Sequence, residues 1–316
     1  MPDNPTATGT SETELRWLKT LVSSGSISFL FGAGVNGSSF ENFRSGFQAT
    51  KDKLIGLGKP GKSIEDEFSE LSESDLVQYQ AVLGTFISEF NGINSPALNE
   101  PSLLNIKALL TAIYRIADTT ENRRPETKKI NIFTVNYDCI IEEILDECGF
   151  FYHSIVPNKP EPQVPYDVIG YNTTRKTYVP TFAVYKLHGS ANRKGAIDKD
   201  SIIVPNTNKL GTVLASYFES LFTMKSELLK PNAVLFILGY SGADIHVNGV
   251  INAASSTTLT VCHLPYSPLT PEAYGAEFEN ALFEPVNIAR DLYQDTTKTL
   301  ADLLAKASEL KDEKEQ

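Results

Sequence analysis

Cysteine is scarce in this chain. Its 316 residues include three, Cys139, Cys148 and Cys262, and none sits in a Cys-x-x-Cys pair. An odd, sparse count argues against a disulfide framework and suits a reducing compartment. No set of His, Cys, Asp and Glu has the spacing of metal ligands, so no zinc is expected. Long apolar runs are also missing, and nothing approaches the roughly 20 residues of a membrane-spanning helix. Met1 to Ser11 is polar and lacks the basic-then-apolar pattern of a secretion signal. Positive charge is in deficit: 28 Lys and Arg stand against 39 Asp and Glu, a formal net charge of -11. Arg123-Arg124 and Lys128-Lys129 read as a solvated loop, not a phosphate-binding patch. The expectation is a cytoplasmic protein without direct nucleic-acid or membrane binding. Internal repeats and low-complexity tracts are lacking too.

What is present is an alternation of strand-length apolar runs with helical patterns. Ser26 to Phe31, Lys129 to Thr134, Thr181 to Leu187, Ala233 to Leu238 and Thr258 to His263 read as strands, with Phe151 to Val156 as a further one. Helical spacing marks Glu12 to Val22, Asp75 to Phe90, Leu103 to Ile116, Cys139 to Leu145, Ser216 to Leu229 and Asp244 to Ala254. The alternation predicts an α/β fold, a Rossmann-like doubly wound parallel sheet. Residues of about 40–128 contain no strand before Lys129 and read as a helical insertion lobe. Five prolines between 157 and 180 predict a loop or a small irregular excursion. The expected organisation is a disordered 1–10, a nucleotide-binding domain over 11–274, and C-terminal helices with a charged tail over 275–316. Those last helices are expected to offer an assembly surface.

Four segments follow strand ends, where such a sheet opens its ligand crevice. Gly32-Ala33-Gly34-Val35-Asn36-Gly37 spells G-x-G-x-x-G, a turn that brings backbone close to a pyrophosphate. The polar Ser38, Ser39, Glu41 and Asn42 that follow make a dehydrogenase-type helix less convincing there. Asn136 and Asp138 lie beyond the second strand; an amide at the strand tip can orient water, whereas Asp138 also suits a helix cap. His188 precedes Gly189, and a histidine titrates near neutrality, which fits a general base. Gly239 and Ser241 form a second glycine/serine turn, and Asp244 either contacts a nucleotide or caps the next helix. The offset of the glycines around Ser241 does not match a nucleophile elbow. His153, His246 and His263 lack a comparable strand-to-glycine setting.

In this order and spacing the four segments resemble the sirtuin-like family over most of residues 26–263. Gly32-Ala33-Gly34 is similar to its phosphate-binding turn, Thr134-x-Asn136-Tyr137-Asp138 to its Thr-x-Asn-x-Asp segment, His188-Gly189 to its catalytic His-Gly, and Gly239-x-Ser241 to its second nucleotide turn. Tyr137, Ser190 and Asp244-Ile245-His246 bring the spelling closest to the bacterial sirtuin-like effectors of anti-phage defence, which hydrolyse NAD. Departures accompany the match. The four-cysteine zinc module of the deacylases is missing, since residues 189–261 hold no cysteine. Asn42-Phe43-Arg44-Ser45 resembles only the end of a Gly-Ile-Pro-Asp-Phe-Arg stretch, and Cys262-His263 stands where the family often has a ribose-holding Asn.

The resemblance implies NAD as substrate and cleavage of the nicotinamide–ribose bond. In that reading Asn136 positions water, His188 is the base, and Asp138 holds the nicotinamide amide. Gly32, Ala33, Gly34, Gly239, Ser241 and Asp244 would hold the rest of the dinucleotide. Constant NAD destruction is toxic, so control by homo-oligomerisation or an activating partner protein is expected. An NAD-dependent protein deacylase and a non-catalytic NAD or ADP-ribose sensor are the alternatives.

Overall fold

The computed structural model describes residues 12–37, 46–58, 64–93, 97–119, 128–157, 166–169, 181–192, 195–202, 215–242, 244–255, 258–264 and 296–310. The expectations for 1–10, Asn42 to Ser45, 275–295 and 311–316 fall outside them.

The described strands are β1 (Ile27–Phe31), β2 (Lys129–Thr134), β3 (Tyr152–Pro157), β4 (Tyr166–Ile169), β5 (Thr181–Lys186), β6 (Val234–Leu238) and β7 (Thr260–Leu264). They form one sheet in the order β4-β3-β5-β2-β1-β6-β7. Every neighbouring pair is parallel except β3 with β4. β1 and β6 are buried at every position, as parallel strands covered on both faces must be. Their shared interior is dense: Phe29 stacks on Phe236 with ring centroids 5.3 Å apart.

Described helices are α1 (Glu12–Ser24), α2 (Gln48–Gly56), α3 (Ile64–Ser74), α4 (Leu76–Gly92), α5 (Pro101–Thr119), α6 (Ile140–Cys148), α7 (Ala215–Leu228), α8 (Ile245–Ser255) and α9 (Thr296–Glu309). α1, α5, α6 and α9 bury Leu18, Leu109, Ile113, Ile144 and Leu304 against one face of the sheet. α7 and α8 cover the other with Met224, Leu228, Val247 and Ile251. The architecture is therefore a doubly wound α/β sheet. The chain leaves β1 for β2 on one side and later returns to β6 on the other. The C-terminal end of β1 is thus the point where strand order reverses, where such folds bind ligands.

Two features differ from the sequence reading. The proline-rich stretch contains β4, antiparallel to β3 at the sheet edge. An edge strand pairs on one side only, so prolines nearby are tolerated and mask the strand signal. The C-terminal helix α9 packs onto the sheet-face core and does not lie beyond it: Leu300, Ala301, Leu303, Leu304 and Ala307 are buried, and Lys19 Nζ donates to Leu310 O at 2.6 Å.

α2, α3 and α4 form a separate small core of Phe47, Leu54, Phe68, Val82, Phe86 and Phe90. That core includes Tyr137, Ala191, Ile197 and Ile202, which belong to the segments leaving β2 and β5. The Tyr137 ring meets Phe86 and Phe90 edge-on at 6.4 and 6.2 Å. The lobe is therefore packed directly on site-bearing backbone. α5, although it lies within 40–128, packs on the sheet instead.

Candidate active site

The four segments singled out in the sequence leave four adjacent strands, β5, β2, β1 and β6. Registers set their heights. Thr134 lies opposite Lys186, so Asn136 and His188 are each the second residue beyond neighbouring strands. Phe31 lies opposite Leu238, so Gly32 and Gly239 are each the first residue beyond theirs. Parallel strands stand about 4.8 Å apart, which brings all four departures to one rim.

Backbone-on-backbone packing joins the two glycine turns. Gly32 N donates to Leu238 O at 3.1 Å and Gly34 N to Gly239 O at 3.0 Å. A Cβ on Gly32 would lie 2.4 Å from Gly239 O, and one on Gly239 would lie 2.1 Å from Val35 N. Gly239 also has φ +63. Glycine is thus required by the mutual approach of the turns. A four-residue 3-10 turn, Ala33–Asn36, follows Gly32. The amides of Gly32 and Gly34 are spent on β6 and its turn.

Asn136 is tied to the same rim. Its backbone N–H donates to Thr134 Oγ1 at 3.1 Å, and that hydroxyl donates to Phe31 O at 3.1 Å. Its side-chain Nδ2 donates to Gly32 O at 3.2 Å. With the amide so oriented, Oδ1 is buried and has no hydrogen-bond donor among the described residues. A buried amide oxygen without a donor costs about 1–3 kcal/mol, unless a ligand or water supplies one.

Asp138 is used from within. Its Oδ1 accepts the Ile140 N–H at the start of α6 at 3.1 Å, and its Oδ2 accepts Asn36 Nδ2 at 3.0 Å. Asp138 is not itself the N-cap, which is Cys139; from one residue earlier its carboxylate takes up the first amide of α6 and links the first glycine turn to that helix. Burial pushes the Asp138 carboxyl above the ordinary range, and Lys186 opposes that shift. Asn36 was not foreseen as a site residue; its own Oδ1 is buried and lacks a donor among the described residues.

Lys186, the last residue of β5, was not foreseen either. It is 1% exposed, its Nζ donates to the backbone carbonyl of Asp138, and Glu142 Oε1 lies 3.7 Å away. Burial disfavours its charge, but Glu142 and Asp138 outweigh that and hold its pKa above the ordinary lysine value. Glu142 Oε1 accepts Ser154 Oγ at 2.8 Å. A lysine ending an otherwise apolar buried strand is itself a signal, because lysine is almost never fully buried unless paired.

His188 is 6% exposed, and its Nε2 lies 2.8 Å from Asp244 Oδ2. Gly189 follows at φ +86, where a Cβ would lie 2.2 Å from Ser201 O. Asp244 belongs to the segment beyond β6, so this contact carries the β6 connection across to the β5 departure. Ser241 is exposed. Asp244 Oδ1 caps α8, accepting the N–H groups of His246 and Val247 at 2.9 and 3.1 Å. Its pairing with His188 could not be read from spacing. Hydrogen bonds and close packing thus connect the β1 departure to those of β2 and β6, and the β6 departure to that of β5. Ala33 is exposed on the first turn.

His263, within β7, is buried, and burial lowers its pKa from 6.5 to about 4. Among the described residues, no group of three His, Cys, Asp or Glu side chains is placed to hold a metal ion. No described helix is long and apolar enough to cross a membrane.

A doubly wound sheet whose central strand exits carry a buried Asn, His and Asp along one rim defines the class: an α/β protein of Rossmann-like architecture. Residues 130–288 match the model of the SIR2-like domain, and the chain belongs to that family. No curated protein sequence matches. Among solved structures, a Sir2 homologue with a His-to-Asn substitution, in complex with ADP-ribose, is similar at TM-score 0.51 and 14% identity, over 96% of this chain and 100% of that one. A Ser-to-Ala form of a Sir2 homologue, also an ADP-ribose complex, gives TM-score 0.51 at 13% identity over 96% and 100%. These likenesses establish the shared fold.

Proposed function

We propose that the chain is an NAD hydrolase that cleaves the nicotinamide–ribose bond to give nicotinamide and ADP-ribose. The observation that carries this reading is Asn136: a buried amide oxygen with no donor among the described residues, at the tip of β2 and in register with His188 beyond β5. Family membership and the ADP-ribose held by the Sir2 homologues support NAD as the substrate.

The reaction breaks the bond between C1′ and the nicotinamide nitrogen. Nicotinamide leaves with the electron pair, and positive charge develops on the ribose ring as in other glycosyl transfers. A water held by Asn136 Oδ1 attacks C1′, and its proton passes to His188 and then to solvent. Gly32, Ala33, Gly34, Gly239 and Ser241 form the rim on which phosphates and ribose would rest. Asp138 orders that rim through Asn36 and α6. The zinc module of the deacylases has no donor set here, because residues 189–261 lack cysteine. That favours hydrolysis over deacylation.

Unrestrained NAD loss would kill the host cell, so a low basal rate with activation by self-assembly or a partner fits this reading. The role it suits is a bacterial anti-phage effector. The test is incubation of purified protein with NAD, with and without an acylated peptide. Peptide-independent release of nicotinamide and ADP-ribose is expected. His188→Ala and Asn136→Ala should lower it by about 10²–10⁴-fold, the usual worth of a general base. Turnover by both variants at the wild-type rate would overturn the assignment.

A further inference from the structure

We infer that Asp244 is a positioning residue that keeps the proton of a neutral His188 on Nε2 and so fixes which ring nitrogen carries it. The catalytic consequence rests on the hydrolase reading; the tautomer does not. His188 Nε2 lies 2.8 Å from Asp244 Oδ2. The other carboxylate oxygen, Oδ1, accepts the backbone N–H groups of His246 and Val247. An ionised carboxylate only accepts hydrogen bonds, and the N-terminus of α8 favours the ionised form. The donor between the two side chains is therefore Nε2–H.

The segment carrying Asp244 is itself held. Tyr240 Oη donates to the Asp244 carbonyl at 3.1 Å and reaches Asn248 Oδ1 at 2.8 Å. Asn248 Nδ2 in turn donates to Gly242 O. Tyr240 and Asn248 are both buried. The carboxylate is thus fixed between a helix end and one imidazole nitrogen, an arrangement more elaborate than capping requires.

This geometry makes D244N unusually informative. Two backbone donors of α8 face one terminal atom of residue 244, so the new amide must turn its oxygen toward them. Its NH2 group then faces His188 Nε2, which has to become an acceptor, and the ring proton moves to Nδ1. Asn caps a helix about as well as Asp, so the fold is retained while the imidazole is reversed.

The experiment uses full-length, ¹⁵N-labelled protein at a pH where the ring is neutral, with His188 assigned by difference from H188Q. Ring nitrogen shifts should show Nε2–H in the wild type and Nδ1–H in D244N, with melting temperatures within about 2 °C as expected for a retained cap. NAD turnover should fall about 10²–10⁴-fold in kcat, with little change in KM. A wild-type ring protonated on Nδ1, or a D244N ring still protonated on Nε2, overturns the inference. A reversed tautomer with unchanged kcat refutes its catalytic consequence. Reversal in a protein that never consumes NAD leaves Asp244 assigned and sinks the hydrolase reading alone.

Discussion

Alanine at Gly239 is the sharpest test of how the two glycine turns are held together. The residue has φ +63, and a Cβ there would lie 2.1 Å from Val35 N and 2.6 Å from Gly34 C. The left-handed conformation costs an L-residue roughly 1–2 kcal/mol. Both clashing atoms are backbone, so the turns must separate, at a cost of about 1–3 kcal/mol for an overpacked site. The sum is about 2–5 kcal/mol. At about 2 °C per kcal/mol for a chain of this size, G239A should melt about 4–10 °C below wild type. The same atoms added at Gly249 serve as the control. Gly249 lies exposed in α8, and its Cβ would meet nothing within 4 Å. G249A should gain about 0.5–1 kcal/mol from helix propensity. Scanning calorimetry of the two variants side by side decides the matter. Equal melting temperatures, or a G239A transition indistinguishable from wild type, would refute the claim that close approach of the turns dictates glycine.

Two further outcomes are expected. Lys186→Met should destabilise the fold by about 3–5 kcal/mol, because it leaves Glu142 buried without its cation; K186M/E142Q should recover part of that in a urea-melt double-mutant cycle, and strict additivity would count against the pairing. At the opposite end of the sheet, Glu227 accepts from Lys129 at 2.7 Å, Lys230 at 2.6 Å and Asn131 at 3.0 Å. Burial raises its pKa, but the two lysines outweigh burial and hold it below the ordinary 4.5. The unfolded chain therefore takes up the proton first as pH falls. The contribution of Glu227 is complete above about 4.5 and is lost as pH drops through the folded value. E227Q should be less stable than wild type at neutral pH and converge with it in acid; a constant gap at all pH values would refute this.

Much of the fold was legible along the chain because continuous apolar runs such as Val234–Leu238 fit only strands covered on both faces. α4 and α5 likewise declared themselves by period. β4 escaped because a four-residue edge strand among prolines has too little pattern to register. α9 read as peripheral because an amphipathic helix does not say which surface takes its apolar face; Leu300 and Leu304 found theirs in the sheet-face core.

For the candidate site the division is sharper. Residue type and position after a strand were enough to single out Gly32, Asn136, His188 and Gly239, since each occupies a strand exit and carries recognisable chemistry. The pairings came from the fold alone: Asn36 with Asp138, Lys186 with the Asp138 carbonyl, and His188 with Asp244. They join positions 102, 48 and 56 residues apart. Local periodicity reports what one segment buries and where it turns. Which distant donor meets which acceptor depends on strand order and register, and those exist only after the sheet has formed.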